Sequence, residues 1–180
     1  MKKVVIADAG PLTALARIGR LELLPQLFGK VALTDLVALE ITGGGVFADA
    51  EPLAKALAQA WLETIVLSQE SLEACHDWVN LHQIDMGEAS ALVLASQHIA
   101  QGDEVLVIVD DARGRQAAQH AGLALTGTAG LLLLAKRSGL LPAVKPLLKA
   151  LQAQSCFLSE RLCQAVLRQA NQGITVTDRH

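Results

Sequence analysis

The chain has 180 residues, 52% hydrophobic and 18% charged, which supplies one packed core and excludes a disordered chain. Aromatic residues make up 3%, with no Tyr, so Leu, Ala, Val and Ile must build that core, and base stacking on aromatic platforms is disfavoured as a route to nucleic acid. The net charge is −3, with 15 Lys and Arg against 18 Asp and Glu, so there is no global basic footprint and any nucleic-acid contact must be local.

The three cysteines, Cys75, Cys156 and Cys163, are odd in number and form no C-x-x-C pair, which fits reduced thiols in a cytosolic protein. The apolar run near the N-terminus is too short for a signal peptide. The leucine run within residues 127–135 is stopped by Lys136 and Arg137, well short of the roughly 20 residues that a membrane span needs. The expectation is a soluble cytoplasmic protein with no membrane contact.

In chain order, residues 4–7 read as a strand buried on both faces, broken by Ala9-Gly10-Pro11. Pro11 suits the first position of a helix whose face carries Leu12, Leu15 and Ile18. Residues 21–28 form a short helix interrupted by Pro25, and residues 31–33 a second strand. Thr34 caps a helix over 35–42, which Gly43-Gly44-Gly45 ends. Residues 52–62 read as a helix and 64–67 as a short strand or extended segment. Helices over 71–81 and 86–99 follow, then the clearest strand, 105–109. A helix over 112–121 closes on Gly122 at its C′ position. A strand over 123–125 and helices over 129–138, 142–153 and 159–171 complete the pattern. The expected organisation is a single domain over 1–172 with a loose tail over 173–180. Strands alternating with helices predict an α/β fold with a mostly parallel sheet.

In such sheets ligands bind outside the carboxyl ends of the strands. Two strands here end on an acid, Asp8 and Asp110, and parallel neighbours would bring both to one edge. The competing role for each is helix capping, which suits Asp111 directly before its helix. Glu40 lies four residues from Leu36 and three from Val37, so the spacing predicts that it points along the buried side of its helix. There it needs a cation or an arginine partner. Glu88 closes a capping box with Asp85, yet it also shares a face with Leu92 and Ala95, beside Gly87. An all-oxygen set of this kind suits Mg²⁺ or Mn²⁺. The five histidines show no zinc spacing and read as surface or helix-face residues. Phosphate-loop, dinucleotide and serine-elbow motifs are absent, and Gly10 breaks the D-x-D that a phosphatase needs. Gly127-Thr128-Ala129-Gly130 either holds a phosphate on its amides or is a plain tight turn.

The order of these motifs resembles the PIN domain: Asp8-Ala-Gly-Pro-Leu, then Glu40, Gly87-Glu88-Ala89-Ser90, Val109-Asp110-Asp111-Ala112-Arg113-Gly114-Arg115, and Thr126-Gly127-Thr128. It looks most like the prokaryotic subgroup related to toxin nucleases of toxin–antitoxin modules, and it covers residues 3–170. The resemblance implies a three-layer α/β/α sandwich and an endoribonuclease dependent on Mg²⁺ or Mn²⁺. It implies that Asp8, Glu40, Glu88 and Asp110 are catalytic metal ligands, with Asp111 as a further acid of the subgroup. Arg113, Arg115 and Thr128 are candidate contacts to RNA, with Lys136 and Arg137 as further cations. Where the family often carries Ser or Thr two residues after the first acid, this chain has Gly10. A catalytically weak relative that acts by binding a partner is the alternative. An antitoxin protein is a possible partner, and the apolar C-terminal helices (Leu147, Leu148, Leu151, Leu162, Val166, Leu167) point to a homodimer.

Overall fold

Short β-branched runs alternate with longer Ala- and Leu-rich stretches, and the chain resolves this pattern into strands and helices in turn. The structure is a computed structural model and describes residues 2–43, 50–154 and 158–172. The expected tail over 173–180, two of the glycines after the third helix and Cys156 lie outside the described residues. Two compact units divide at Gly127, Met1–Gly127 and Thr128–His180.

The first unit runs β1 (Lys3–Ala7), α1 (Ala9–Arg17), α2 (Leu23–Phe28), β2 (Val31–Thr34), α3 (Asp35–Gly43), α4 (Ala50–Leu57), β3 (Leu62–Ile65), α5 (Gln69–His82), α6 (Met86–Ala100), β4 (Glu104–Ile108), α7 (Ala112–His120) and β5 (Ala124–Thr126). All five strands pair in parallel in the order β3-β2-β1-β4-β5. Right-handed crossovers then fix the layers. The connections from β1 through β2 to β3 run one way across the sheet, and those from β3 to β4 to β5 run the other way. Their helices therefore cover opposite faces, which gives the three-layer α/β/α architecture. One face is visible as a single core, where Val4, Ile6, Val105, Val107 and Val109 meet Cys75, Leu92, Ala95, Ala117 and Ala118. Side chains alternate along a strand, so Val5, Ala7 and Ile108 face the other way, and they too are buried.

The order reverses between β1 and β4, and that is the topological switch point. The two strands stay in register from Lys3 opposite Glu104 to Ala7 opposite Ile108, so Asp8 and the residues after Ile108 emerge at one edge. The Asp8 amide donates to the Ile108 carbonyl oxygen at 3.0 Å, which extends the ladder into the first residue of the loop.

Several element ends differ from the sequence reading, among them α9 (Lys145–Ala153), which starts at Lys145 rather than at 142. Helix α1 starts at Ala9, so Pro11 is its third residue rather than its first. The first-turn amides of a helix have no internal partner, so a proline there loses nothing. Pro52 sits the same way in α4, which starts two residues earlier than expected and stops at Leu57. The third strand comes two residues early because pairing with β2 sets its register, Val31 opposite Leu62 and Thr34 opposite Ile65. The C-terminal stop of α7 follows the sequence: Gly122 has φ +69°, its amide donates to Gln119 at 3.0 Å, and the Leu123 amide donates to Ala118 at 3.0 Å.

The second unit holds α8 (Thr128–Arg137), α9 (Lys145–Ala153) and α10 (Glu160–Gln172). Helices α8 and α10 pack together, and Leu148, Leu151 and Val166 are buried while Leu162 is exposed. Among the described residues no helix is long and apolar enough to cross a membrane, and Cys75 and Cys163 are free and buried.

Candidate active site

Each strand end delivers a different kind of carboxylate. Asp8 follows β1 directly and sits at the N-cap of α1 in extended conformation, yet its side chain makes no capping bond. It is 5% exposed, and Oδ1 is buried with no hydrogen-bond partner among the described residues. Burial raises its carboxyl to about 7. The amides of Ala9 and Gly10 oppose that rise, and the charges of Glu40 and Asp85 add to it.

Glu88 lies in the first turn of α6 and is 7% exposed. Its capping box with Asp85 is complete: the Glu88 amide donates to Asp85 Oδ1 at 2.8 Å, and the Asp85 amide donates to Glu88 Oε2 at 3.3 Å. Burial first, then the charges of Asp85, Asp111 and Asp8, push its carboxyl to about 8. The capping bond is therefore present, and the charges of Asp85, Asp111 and Asp8 reach the same carboxyl. Asp85, read only as a cap, acts on Asp8, Glu40 and Glu88 alike. Its position three residues before Glu88 was the available signal.

Glu40 corrects the expectation of a buried side chain. It is exposed, while Val37 and Ile41 are buried. At about 100° per residue, Glu40 sits on the margin of the stripe that Val37 and Ile41 centre. Its carboxylate still folds back over Gly87, where an added Cβ would lie 2.5 Å from Glu40 Oε2. Burial there and the charge of Asp85 raise its carboxyl above the ordinary value.

Two hydroxyls fix this approach from beneath. Ser90 Oγ donates to the Gly87 carbonyl oxygen at 2.6 Å, and Thr34 Oγ1 lies 2.6 Å from Ser90 Oγ. Ser90 has spent its only proton, so Thr34 is the donor between them. Thr34 Oγ1 in turn accepts the Val37 amide at 3.2 Å, capping α3 as the sequence predicts. Both hydroxyls are fully buried. They lock the start of α3 to the first turn of α6, across 56 residues of chain that give no local signal of the pairing.

After β4 the two acids diverge. Asp111 is an N-cap, its Oδ1 accepting the Arg113 and Gly114 amides at 2.7 and 3.1 Å. Its charge nevertheless reaches Glu88. Asp110 is exposed and lies over Gly127, where an added Cβ would stand 2.5 Å from Oδ1 and 3.1 Å from Arg115 Nη1. Arg115 Nη1 donates to the Val109 carbonyl oxygen at 3.0 Å, so part of this candidate RNA contact serves the end of β4. Arg113 is exposed and donates to the Gln83 carbonyl oxygen at 3.1 Å. Thr128 is buried at the first residue of α8, in the second unit.

Asp8, Glu40, Glu88, Asp85 and Asp111 thus share one electrostatic neighbourhood. Its donors are all oxygen, its most buried oxygen lacks a partner, and its two most buried carboxyls are held above neutrality or close to it by burial and mutual repulsion. A hard divalent cation answers each of these features. Among the described residues no three such side chains are already drawn together as a ligand set.

A parallel doubly covered sheet with acids gathered at its switch point defines a class of α/β proteins that work on ligands at the carboxyl edge. The family model described as a PIN domain matches residues 4–172, and the chain belongs to that family. PIN domains are generally nucleases and typically use divalent metals. None of the curated proteins compared matches the chain significantly.

Proposed function

We propose that this protein is an endoribonuclease dependent on Mg²⁺ or Mn²⁺, of the toxin or toxin-like kind. The observation that carries the reading is Asp8: a carboxylate at the switch point, with a buried oxygen that nothing in the described chain satisfies and two further acids raising its proton affinity. Such an arrangement costs stability unless a cation completes it. When bound, the cation supplies an activated water and stabilises charge on the phosphate.

The chain's own groups have distinct tasks. Asp8, fixed by the bond from its amide to Ile108, offers Oδ1 to the cation. Glu40 and Asp110 are the rim ligands, each laid over a glycine that leaves room for its carboxylate. Glu88 Oε2 accepts the Asp85 amide, so a proton on this carboxyl, which titrates near 8, resides on Oε1. Without the cation that proton is held near neutral pH, and with it Oε1 is the oxygen Glu88 would offer to the cation. Arg113 attracts the RNA backbone at the exposed start of α7.

The test is Mn²⁺-dependent cleavage of RNA by the wild type and by Asp8→Ala. Loss of cleavage in the variant is expected, and equal cleavage by both overturns the reading. The subgroup likeness also motivates a small antitoxin partner in the cytoplasm and a homodimer. Co-purification with the product of an adjacent gene and the mass in solution check these two.

The weak-catalyst alternative rests on Gly10. A Cβ there would sit 3.8 Å from Asp8 Oδ2, an ordinary contact, so a serine fits and would stand beside Asp8. If the missing hydroxyl limits the enzyme, Gly10→Ser raises the cleavage rate.

A further inference from the structure

Two of the five histidines meet away from the acids. His82, at the end of α5, lies 5.1 Å from the Trp78 ring, one helical turn earlier. His120, at the end of α7, lies 6.2 Å from His82. Three rings from two helices thus form a row in a chain whose composition argued against aromatic platforms. The row borders an open cavity of about 330 Å³, lined by Leu81, His82, Arg113, Gln116, Ala117 and His120.

Neither imidazole nor the Gln116 carboxamide has a hydrogen-bond partner among the described residues. Arg113 spends one bond on the Gln83 carbonyl oxygen and keeps its other donors. Gln83 is the left-handed residue at the end of α5, with φ +56°, so the guanidinium is held against a fixed turn. Leu81 is 76% exposed at the rim.

Both walls adjoin the acids along the chain. The α5 wall continues through Gln83 to Asp85, and the α7 wall begins just after Asp111. The His82 and His120 rings are tilted 44° to each other, so one base can lie flat on only one of them. We infer that this cavity is a nucleotide subsite, in which a base flanking the scissile phosphate stacks on the exposed imidazole of His120, with His82 at its edge, while Arg113 holds a phosphate. The inference rests on the nuclease reading for its substrate and deepens it. Flat rings supply the stacking surface, the carboxamide and imidazole nitrogens supply edge donors and acceptors, and the guanidinium supplies the anion contact. The adjacent guanidinium and the presence of only two imidazoles make a transition-metal ion the poorer occupant.

The test uses Trp78 as the reporter. Trp61 and Trp78 are the only tryptophans, so Trp61→Phe leaves a single fluorophore beside the cavity. A short RNA oligonucleotide is titrated without divalent metal, where cleavage plays no part. Quenching of Trp78 is expected, with binding weakened roughly 5- to 100-fold by His120→Ala and less by Gln116→Ala, both exposed positions. Circular dichroism confirms that each variant is folded. Absence of quenching, or equal affinity in the parent and both variants, overturns the subsite. RNA binding that the variants weaken in a protein that fails to cleave supports the subsite while the nuclease reading falls. Asp8-dependent cleavage with unchanged affinity in the variants does the reverse.

Discussion

The Asp8 carboxyl titrates near 7 in the fold against 3.8 ordinarily, and Glu88 near 8 against 4.5. The folded state therefore binds protons that the unfolded chain has already released. Stability from these groups is full below their unfolded values and is lost as pH rises through their folded ones. In EDTA the protein should become less stable between about pH 5 and 8, each group contributing up to about 1.4 kcal/mol per pH unit. Urea midpoints across that range measure it, and Asp8→Asn should flatten the slope. An identical slope in the variant would show that Asp8 takes up no proton on folding. Gly87 allows a separate probe of Glu40. An alanine Cβ would press on Glu40 Oε2 at 2.5 Å, the far end of an exposed, flexible side chain, and would stand 3.2 Å from the capping oxygen Asp85 Oδ1, which must give by a few tenths of an ångström. Gly87→Ala should shift stability by less than about 1 kcal/mol, yet move the carboxylate and lower RNA cleavage at least tenfold. Denaturation and rate measurements on one preparation separate the two effects.

Among elements, α7 and α3 are seated by different means. Helix α7 approaches Glu88 through Gly114, where an added Cβ would meet Val109 Cγ2 at 3.0 Å and Glu88 Oε1 at 3.2 Å. Both neighbours are buried, so neither swings away. Gly114→Ala should cost about 1–3 kcal/mol by overpacking, unlike Gly87→Ala. Helix α3 is seated by hydroxyls instead. Thr34→Val removes the cap on Val37 and the donor to Ser90 together, with an expected cost of about 1–2 kcal/mol. Chemical denaturation reads both. Thr34 was legible as a cap because it directly precedes an apolar helical pattern, whereas its bond to Ser90 was not, since a partner distant in sequence leaves no periodic trace.

For the whole molecule, a cation that binds only the folded state must raise the unfolding temperature. At a hundredfold excess over Kd the gain is about 2.7 kcal/mol. Thermal scans with and without Mn²⁺ should show the shift in the wild type and its absence in Asp8→Asn. A wild type indifferent to millimolar Mn²⁺ would remove the metal from the proposed function. The same scans should respond to pH oppositely with and without the ion, because the cation takes over the role of the protons on Asp8 and Glu88.

The sequence by itself determined the elements and the acids. Apolar β-branched runs mark β1 and β4 because a parallel strand is buried on both faces, and Asp8 and Asp110 stand out because they end those runs. The capping box at Asp85 and Glu88 and the glycine stop at Gly122 were legible because their bonds span only a few residues. Only the tertiary structure decided which strands are neighbours, that Glu40 reaches Gly87 from an exposed position, that Asp85 joins the acids, and that His82 meets His120. Each of these depends on helices and strands far apart in the chain packing face to face. Spacing along one element predicts the direction of a side chain, while its partner is set by the element packed opposite.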